Sequence, residues 1–348
     1  MVIDSPRILV IGPSWIGDMV MAQSLFMDLH ARHPKSFIAV AAPPWTAPLL
    51  ARMPEVDLTI PANFSHGKMG LGARLDLARQ LREYHFDRAI VLPGSIKSAL
   101  APWLARIPQR TGYRGEMRYR LINDIRPLDK QRLPLTVQRF VFLAGEARQQ
   151  STNDPPTWQS PRLVVDDESV SRSLDELGLK RPTTPLLALC PGAEFGPAKR
   201  WPSRHFAHLA DLAHAAGFAV WLFGSDKDSD ITRQIVEASD DACIDLAGHT
   251  NLGQAIELLS LADVVVSNDS GLVHVSAALK RPLVALYGSS SPGFTPPLSN
   301  DATILTLDLD CSPCFKRECP LGHFRCLEDL DPARVFKAVL NAIDNRPI

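Results

Sequence analysis

Short apolar runs that end in glycine, serine or aspartate, each followed by a helix-patterned stretch, recur along this 348-residue chain. Parallel strands need crossovers of a dozen or more residues, and helices supply them. The alternation therefore points to an α/β fold built on doubly wound parallel sheets covered on both faces. In the first half it predicts strands over 7–12, 37–42, 57–60 and 86–92, with helices over 17–33, 71–84 and 96–106. A polar, proline-marked stretch at 148–161 reads as a linker. The pattern then restarts, with strands expected at 186–190, 219–223, 244–246, 264–267 and 283–287. Helices are expected over 204–216, 228–239, 252–261 and 272–279, with a last one over 332–343. Two domains follow, 1–155 and 156–348, facing a central cleft, the last helix packing back toward the first domain. In such sheets ligands sit beyond the carboxyl ends of the strands.

Charge separates the halves. The net charge of −1 hides 20 basic and 12 acidic groups in residues 1–150, and 17 basic and 26 acidic groups after them. No apolar run approaches the ~18 residues of a membrane span. The start of the chain, with Asp4 and Arg7 leading into a strand, lacks signal-peptide character. A cytoplasmic location is expected, where six cysteines are thiols or metal ligands rather than a disulfide frame.

Four strand ends in the second half carry small polar residues. Val264-Val265-Val266 runs into Ser267-Asn268-Asp269-Ser270-Gly271 and a helix containing His274. Backbone N–H groups at such a helix start form an anion site, and Asp269 suits sugar hydroxyls; equally, Asp269 or Ser270 reads as a helix cap. Cys190-Pro191-Gly192-Ala193-Glu194 precedes Ala198-Lys199-Arg200-Trp201-Pro202, where the Lys199 ammonium either neutralises a diphosphate or is a solvated loop charge. Phe223-Gly224-Ser225-Asp226 and Tyr287-Gly288-Ser289-Ser290 are the other two. Together they suggest a nucleotide or nucleotide-sugar site, while the absence of G-x-G-x-x-G and of G-x-x-x-x-G-K-[ST] argues against NAD enzymes and P-loop NTPases. In the first half, Gly12-Pro13-Ser14-Trp15-Ile16-Gly17-Asp18 puts a carboxylate at the start of the first helix, as a first-turn acid or a general base.

The stretches at 12–20, 198–202 and 268–274, in this order and spacing over essentially the whole chain, resemble the bacterial ADP-heptose:lipopolysaccharide heptosyltransferases. These are family-nine glycosyltransferases with the GT-B architecture of two Rossmann-like domains. The Pro-Ser-Trp-x-Gly-Asp form and the Cys-rich tail are more similar to heptosyltransferase II than to heptosyltransferase I. The resemblance implies inverting transfer of L-glycero-D-manno-heptose from ADP to the first heptose of the inner core, in a Gram-negative bacterium. It implies that Asp18 is the general base and that Lys199 stabilises departing ADP. Asp269 would bind heptose hydroxyls, with Ser270, Gly271 and His274 at the phosphates; Ala193, Glu194, Ser225, Asp228 and Thr250 join the donor side by placement. No cofactor is expected beyond the donor, since leaving-group charge is met by Lys199 and helix N–H groups. Another GT-B enzyme acting on a different sugar nucleotide, or a non-catalytic nucleotide-sugar binding protein, would share the architecture. The intact set of Asp18, Lys199 and Asp269 favours an enzyme.

Two features remain. Between Arg106 and Arg148, ten Lys and Arg face four acidic residues, and Arg outnumbers Lys 27 to 10 in the chain. Arginine binds phosphate and carboxylate bidentately, so Arg118 and Arg120, with Ser14 and Lys97, are expected to meet an anionic, lipid-linked core oligosaccharide rather than nucleic acid. Peripheral contact with the inner membrane, through the helix beginning at Lys97, would accompany such an acceptor. Cys311-x2-Cys314-x4-Cys319-x6-Cys326 has the ligand count for a structural zinc, yet its second spacing is unusual and Pro313 and Pro320 fit an ordinary loop of free thiols.

Overall fold

Arg7–Ile11 (β1) is buried at four of its five residues and joins its neighbours through parallel ladders on both sides. A strand covered on both faces must be apolar throughout, which is why this one reads as a continuous run. The computed structural model describes residues 5–62, 70–145, 154–240 and 242–344, and the chain divides into two units at Pro161/Arg162. That boundary lies six residues beyond the expected one. The expected linker falls partly on residues 146–153, outside those described.

In unit 1, β1 is followed by α1 (Ile16–Arg32), β2 (Phe37–Ala42), α2 (Ala47–Leu50), β3 (Leu58–Pro61), α3 (Leu71–Glu83) and β4 (Arg88–Val91). Then come α4 (Ile96–Leu104), β5 (Gln109–Tyr113), β6 (Asp124–Arg126) and α5 (Thr136–Phe142). The strands form one parallel sheet in the order β3-β2-β1-β4-β5-β6, with Ile8 opposite both Ile38 and Arg88. A core of Leu9, Ile11, Ala39, Val91 and Leu81 packs helices onto one face. β5, β6 and α5 were not expected. Gln109-Arg110-Thr111-Gly112-Tyr113 carries no apolar run, and its strand conformation comes from pairing with β4 rather than from local pattern.

Unit 2 contains α6 (Asp167–Glu176), β7 (Leu186–Cys190), α7 (Ser203–Ala215), β8 (Ala219–Leu222), α8 (Ser229–Glu237), β9 (Cys243–Asp245) and α9 (Leu252–Leu259). It continues with β10 (Val264–Asn268), α10 (Gly271–Ala278), β11 (Leu283–Leu286), β12 (Ala302–Leu305), α11 (Arg325–Glu328) and α12 (Pro332–Asp344). The sheet runs β12-β11-β10-β7-β8-β9, again all parallel. Counted from each unit's first strand, both sheets have the order 3-2-1-4-5-6 of a Rossmann-like fold. Order reverses beside β1 and β4 in one unit, and beside β7 and β10 in the other. α6 is capped by Asp166 and α9 by Asn251, each accepting a backbone N–H three residues on. Val335 and Val339 of α12 are fully buried in the core of unit 2 with Leu286 and Trp201. No helix among the described residues is long and apolar enough to cross a membrane.

Candidate active site

The turns that follow β7, β10 and β11 come together in unit 2. After β7 the chain reaches a short turn of 3-10 helix, Pro197–Lys199. Asn268, the last residue of β10, is fully buried and pins that segment at two points. Its amide donates to the Pro191 carbonyl at 2.7 Å, and its oxygen accepts the Trp201 N–H at 3.1 Å. Trp201 is held in turn by its indole N–H on the Leu330 carbonyl, 2.9 Å away. The loop bearing Lys199 is therefore clamped on both flanks.

Lys199 Nζ lies 2.5 Å from Asp269 Oδ2, and the Ser290 hydroxyl donates to the same oxygen at 2.5 Å. The side chains of Lys199 and Asp269 are 17% and 4% exposed, so this ion pair is shielded. The hydroxyl gives the carboxylate a second partner, which a charge taken this far out of water requires. Lys199 also stands 5.1 Å from the Phe195 ring centroid, and Arg317 lies 5.5 Å from the same ring. His274, on α10, is buried nearby. Desolvation pushes its pKa down to about 4 against the opposing pull of Asp269, so at neutral pH it is an uncharged imidazole.

Asp269 and Ser270 do not act as caps. Ser270 is the N-cap residue of α10 by position, but its side chain makes no capping hydrogen bond. Among the remaining donor-side residues, Asp228 is turned to local structure: it accepts from the Ser225 N–H at 3.0 Å and hydroxyl at 2.7 Å. It fills the space that Gly192 leaves, where a Cβ would come within 2.6 Å of its carboxylate. Glu194 is exposed and pairs with Lys227. Ala193 is buried, its carbonyl accepting from Arg200, and Thr250 bonds the Leu246 carbonyl at 3.3 Å. Ser290 and Asn268 are the residues that sequence reasoning left without a role. Their signal was only an amide side chain closing apolar β10 and a small hydroxyl in the turn that follows apolar β11.

In unit 1, Ser14 and Asp18 lie past the carboxyl end of β1, with Asp18 half-buried in the first turn of α1. Lys97 lies past the end of the neighbouring β4, in the first turn of α4, whose N-cap Ser95 accepts from the Ser98 N–H. Both positions flank the point where strand order reverses. Arg120 is exposed.

Arg118 requires a correction. It is 3% exposed, and its guanidinium donates to the carbonyls of Pro93 (2.7 Å), Tyr113 (2.8 Å) and Ser95 (3.3 Å). It ties the loop after β4 to the loop after β5 and is not presented to an acceptor. Burial lowers its pKa. Much of the basic excess goes the same way: Arg110 donates to Ile107 and Leu121, Arg139 to Leu133 and Pro134, and Arg88 to Leu143 and Ala144. These carbonyls belong to irregular chain without ladder partners, and arginine satisfies several at once.

The four clustered cysteines are free thiols, and among the described residues no three Cys, His, Asp or Glu side chains are grouped so as to hold a metal ion.

The model of glycosyltransferase family 9 (heptosyltransferase) matches residues 74–325. The chain is 48% identical over 345 residues to lipopolysaccharide heptosyltransferase 2 of Escherichia coli (strain K12), covering 97% of this chain and 98% of that protein. It is 47% identical over 341 residues to lipooligosaccharide heptosyltransferase 2 of Haemophilus ducreyi, covering 95% and 97%. The solved structure of E. coli ADP-heptose lps heptosyltransferase II superposes with a TM-score of 0.87 at 46% identity, over 97% of this chain and 98% of that one. With two Rossmann-like units of GT-B type and a Lys199–Asp269–Ser290 cluster at the strand ends, this chain belongs to glycosyltransferase family 9, the heptosyltransferases.

Proposed function

We propose that this chain transfers L-glycero-D-manno-heptose from ADP-heptose, with inversion, to the first heptose of the lipopolysaccharide inner core. The observation that carries the reading is the shielded Lys199–Asp269 pair beside the uncapped start of α10. An ammonium has three N–H donors, so Lys199 can keep Asp269 and still take a phosphate oxygen. The free N–H groups of a helix start suit the same diphosphate. As the sugar–phosphate bond breaks, negative charge grows on ADP and positive character on the sugar ring. Lys199 addresses the first and the Asp269 carboxylate the second. Asp269 also accepts from heptose hydroxyls. A neutral His274 adds no competing charge and remains a hydrogen-bonding group.

On the acceptor side, Asp18 takes the proton of the attacking hydroxyl, with Ser14, Lys97 and Arg120 contacting the anionic core. Support comes from position: Asp18 and Lys97 follow the two strands at the switch point of unit 1. In this reading the donor is the only small molecule required, and the enzyme works at the cytoplasmic face of the inner membrane on a lipid-linked acceptor.

The test is ADP release from ADP-heptose, which should depend on a heptose-bearing core acceptor. Release without acceptor would make the protein a hydrolase, and none under any condition would make it a binder. Asp18→Asn should lower kcat by about 10²–10⁴-fold, the range for a general base, with donor affinity unchanged. Transfer near the wild-type rate would remove Asp18 from the mechanism.

A further inference from the structure

β10 lies between β11 and β7 in the sheet of unit 2, and Asp269, the residue after it, is reached from both neighbours. The Asp269 N–H donates to the Leu286 carbonyl at 3.2 Å, so pairing with β11 runs one residue past the strand and fixes where the side chain starts. From the β7 side comes the Lys199 ammonium, and from the β11 side the Ser290 hydroxyl, each 2.5 Å from Oδ2. Three neighbouring strand ends therefore meet on one carboxylate oxygen. The Ser290 arm is itself held from behind by the loop between β12 and α11. The Phe315 N–H donates to the Ser289 carbonyl at 2.7 Å, and the Ser312 hydroxyl to the Gly288 carbonyl at 2.6 Å. Ser290 is buried, and its one proton is spent on Asp269.

The second oxygen is left differently. Among the described residues no protein group donates to Oδ1, yet that atom is not one of the sealed polar atoms without a partner, so it keeps contact with solvent. The Tyr287 hydroxyl also stands beside this carboxylate, but its proton goes to the Thr295 carbonyl at 2.8 Å. Burial, and after it the Asp269 charge, raises the Tyr287 pKa, which keeps that proton in place. A carboxylate turns easily about its last bond unless its oxygens are held, because that torsion has broad wells. With an ammonium as the sole partner, either oxygen can serve. With a hydroxyl on the other side as well, Oδ2 is caught between two donors and the two oxygens take distinct roles.

We propose that Ser290 is a positioning residue for donor recognition: by holding Oδ2 against Lys199, it reserves Asp269 Oδ1 for a hydroxyl of the sugar carried on the nucleoside diphosphate. The role rests on the donor reading proposed above, in which Asp269 meets sugar hydroxyls. Ser290 acts through Asp269 and makes no contact of its own with the sugar. A hydrogen bond to a carboxylate contributes about tenfold or more in affinity. An acceptor aimed beforehand keeps that contribution, because no ordering is left to be done on binding.

The test separates sugar from nucleotide. Calorimetry on the full chain compares ADP-heptose with ADP for the wild type and for Ser290→Ala. The variant should weaken ADP-heptose about tenfold and ADP less than about twofold, because Lys199 serves both ligands and Oδ1 serves only the sugar. In an Asp269→Ala background the same Ser290→Ala change should alter ADP-heptose affinity less than about twofold, since no carboxylate is left to aim. Equal weakening of ADP and ADP-heptose would mean that Ser290 acts on Lys199 or on the turn alone, and unchanged affinity for both would mean that it does not aim Asp269. Either result overturns the proposal, as does a Ser290→Ala effect that persists undiminished when residue 269 is alanine. The measurement is of binding, so a wild type that binds ADP-heptose yet transfers no heptose defeats the proposed transfer and leaves the Ser290 comparison intact. Binding of neither ligand by the wild type would remove the donor reading, and this proposal with it.

Discussion

Asp269 Oδ2 takes both the Lys199 ammonium and the Ser290 hydroxyl, so one atom sets where the ammonium points. Three other side chains give sharp expectations. Arg118 and Arg120 look alike in the sequence, yet one is buried among carbonyls and the other is exposed. Arg118→Ala should cost about 2–3 kcal/mol of stability, because buried carbonyls lose their donors, and should show as a lower thermal midpoint. Arg120→Ala should leave the midpoint unchanged and raise the acceptor KM; an unchanged KM would move the acceptor contact elsewhere. His274 titrates near pH 4 when folded and near 6.5 when unfolded, so the unfolded chain binds the extra proton between these values. Its contribution is complete above about pH 6.5 and is lost as pH falls toward 4, on the order of 3 kcal/mol. His274→Gln should flatten the fall in thermal midpoint over that window, and an equally steep fall in the variant would refute this.

The turn between β7 and α7 depends on what packs behind it. Gly196 approaches the Arg317 carbonyl so closely that Gly196→Ala must displace either the turn or the cysteine loop. Displacement breaks the Ala198–Arg317 hydrogen bond one residue from Lys199. Transfer should fall about tenfold, the rate equivalent of roughly 1.4 kcal/mol in transition-state stabilisation. ADP-heptose turnover and a melting curve separate this from global unfolding, since a folded variant with full activity would show that the loop does not support the turn. Elements with strong local pattern, such as β1, β7 and β10, were legible in the sequence because strands buried on both faces are apolar throughout. β5 and β6 were not, because Gln109, Arg110, Asp124 and Arg126 give no run of apolar residues. The Thr111–Asp124 bond links β5 to β6, while Arg126 pairs with Asp124 from within β6, and neither contact is visible in a local apolar pattern.

Each unit has its own sheet and its own core, and Asp18 and Lys199 belong to different units. Residues 162–348 expressed alone should therefore unfold cooperatively and bind ADP, while transferring nothing, because the proposed base is absent. Calorimetry with ADP checks the first statement and an assay of ADP release checks the second. Failure of this piece to fold would mean that its core needs the other half of the chain. The basic excess of the first half, read from the sequence, was expected to meet an anionic acceptor. The structure turns much of the basic excess into internal fastening, with Arg88, Arg110, Arg118 and Arg139 donating to backbone carbonyls.

The fold class and the positions of Asp18, Lys199 and Asp269 at strand ends were readable without coordinates. Apolar runs, helix periodicity and the turn residues after each strand are local properties, and an α/β sheet places its functional turns where strands end. The partners of those residues were not readable. Lys199 and Asp269 are 70 positions apart, Ser290 is another 21 along, and Arg118 faces Pro93 across 25. Which distant carbonyl, carboxylate or thiol a side chain meets depends on how crossovers stack the strands, and no local pattern encodes that contact. Burial then decides the chemistry, making Arg118 a fastener, His274 a neutral ring and Lys199 a shielded cation.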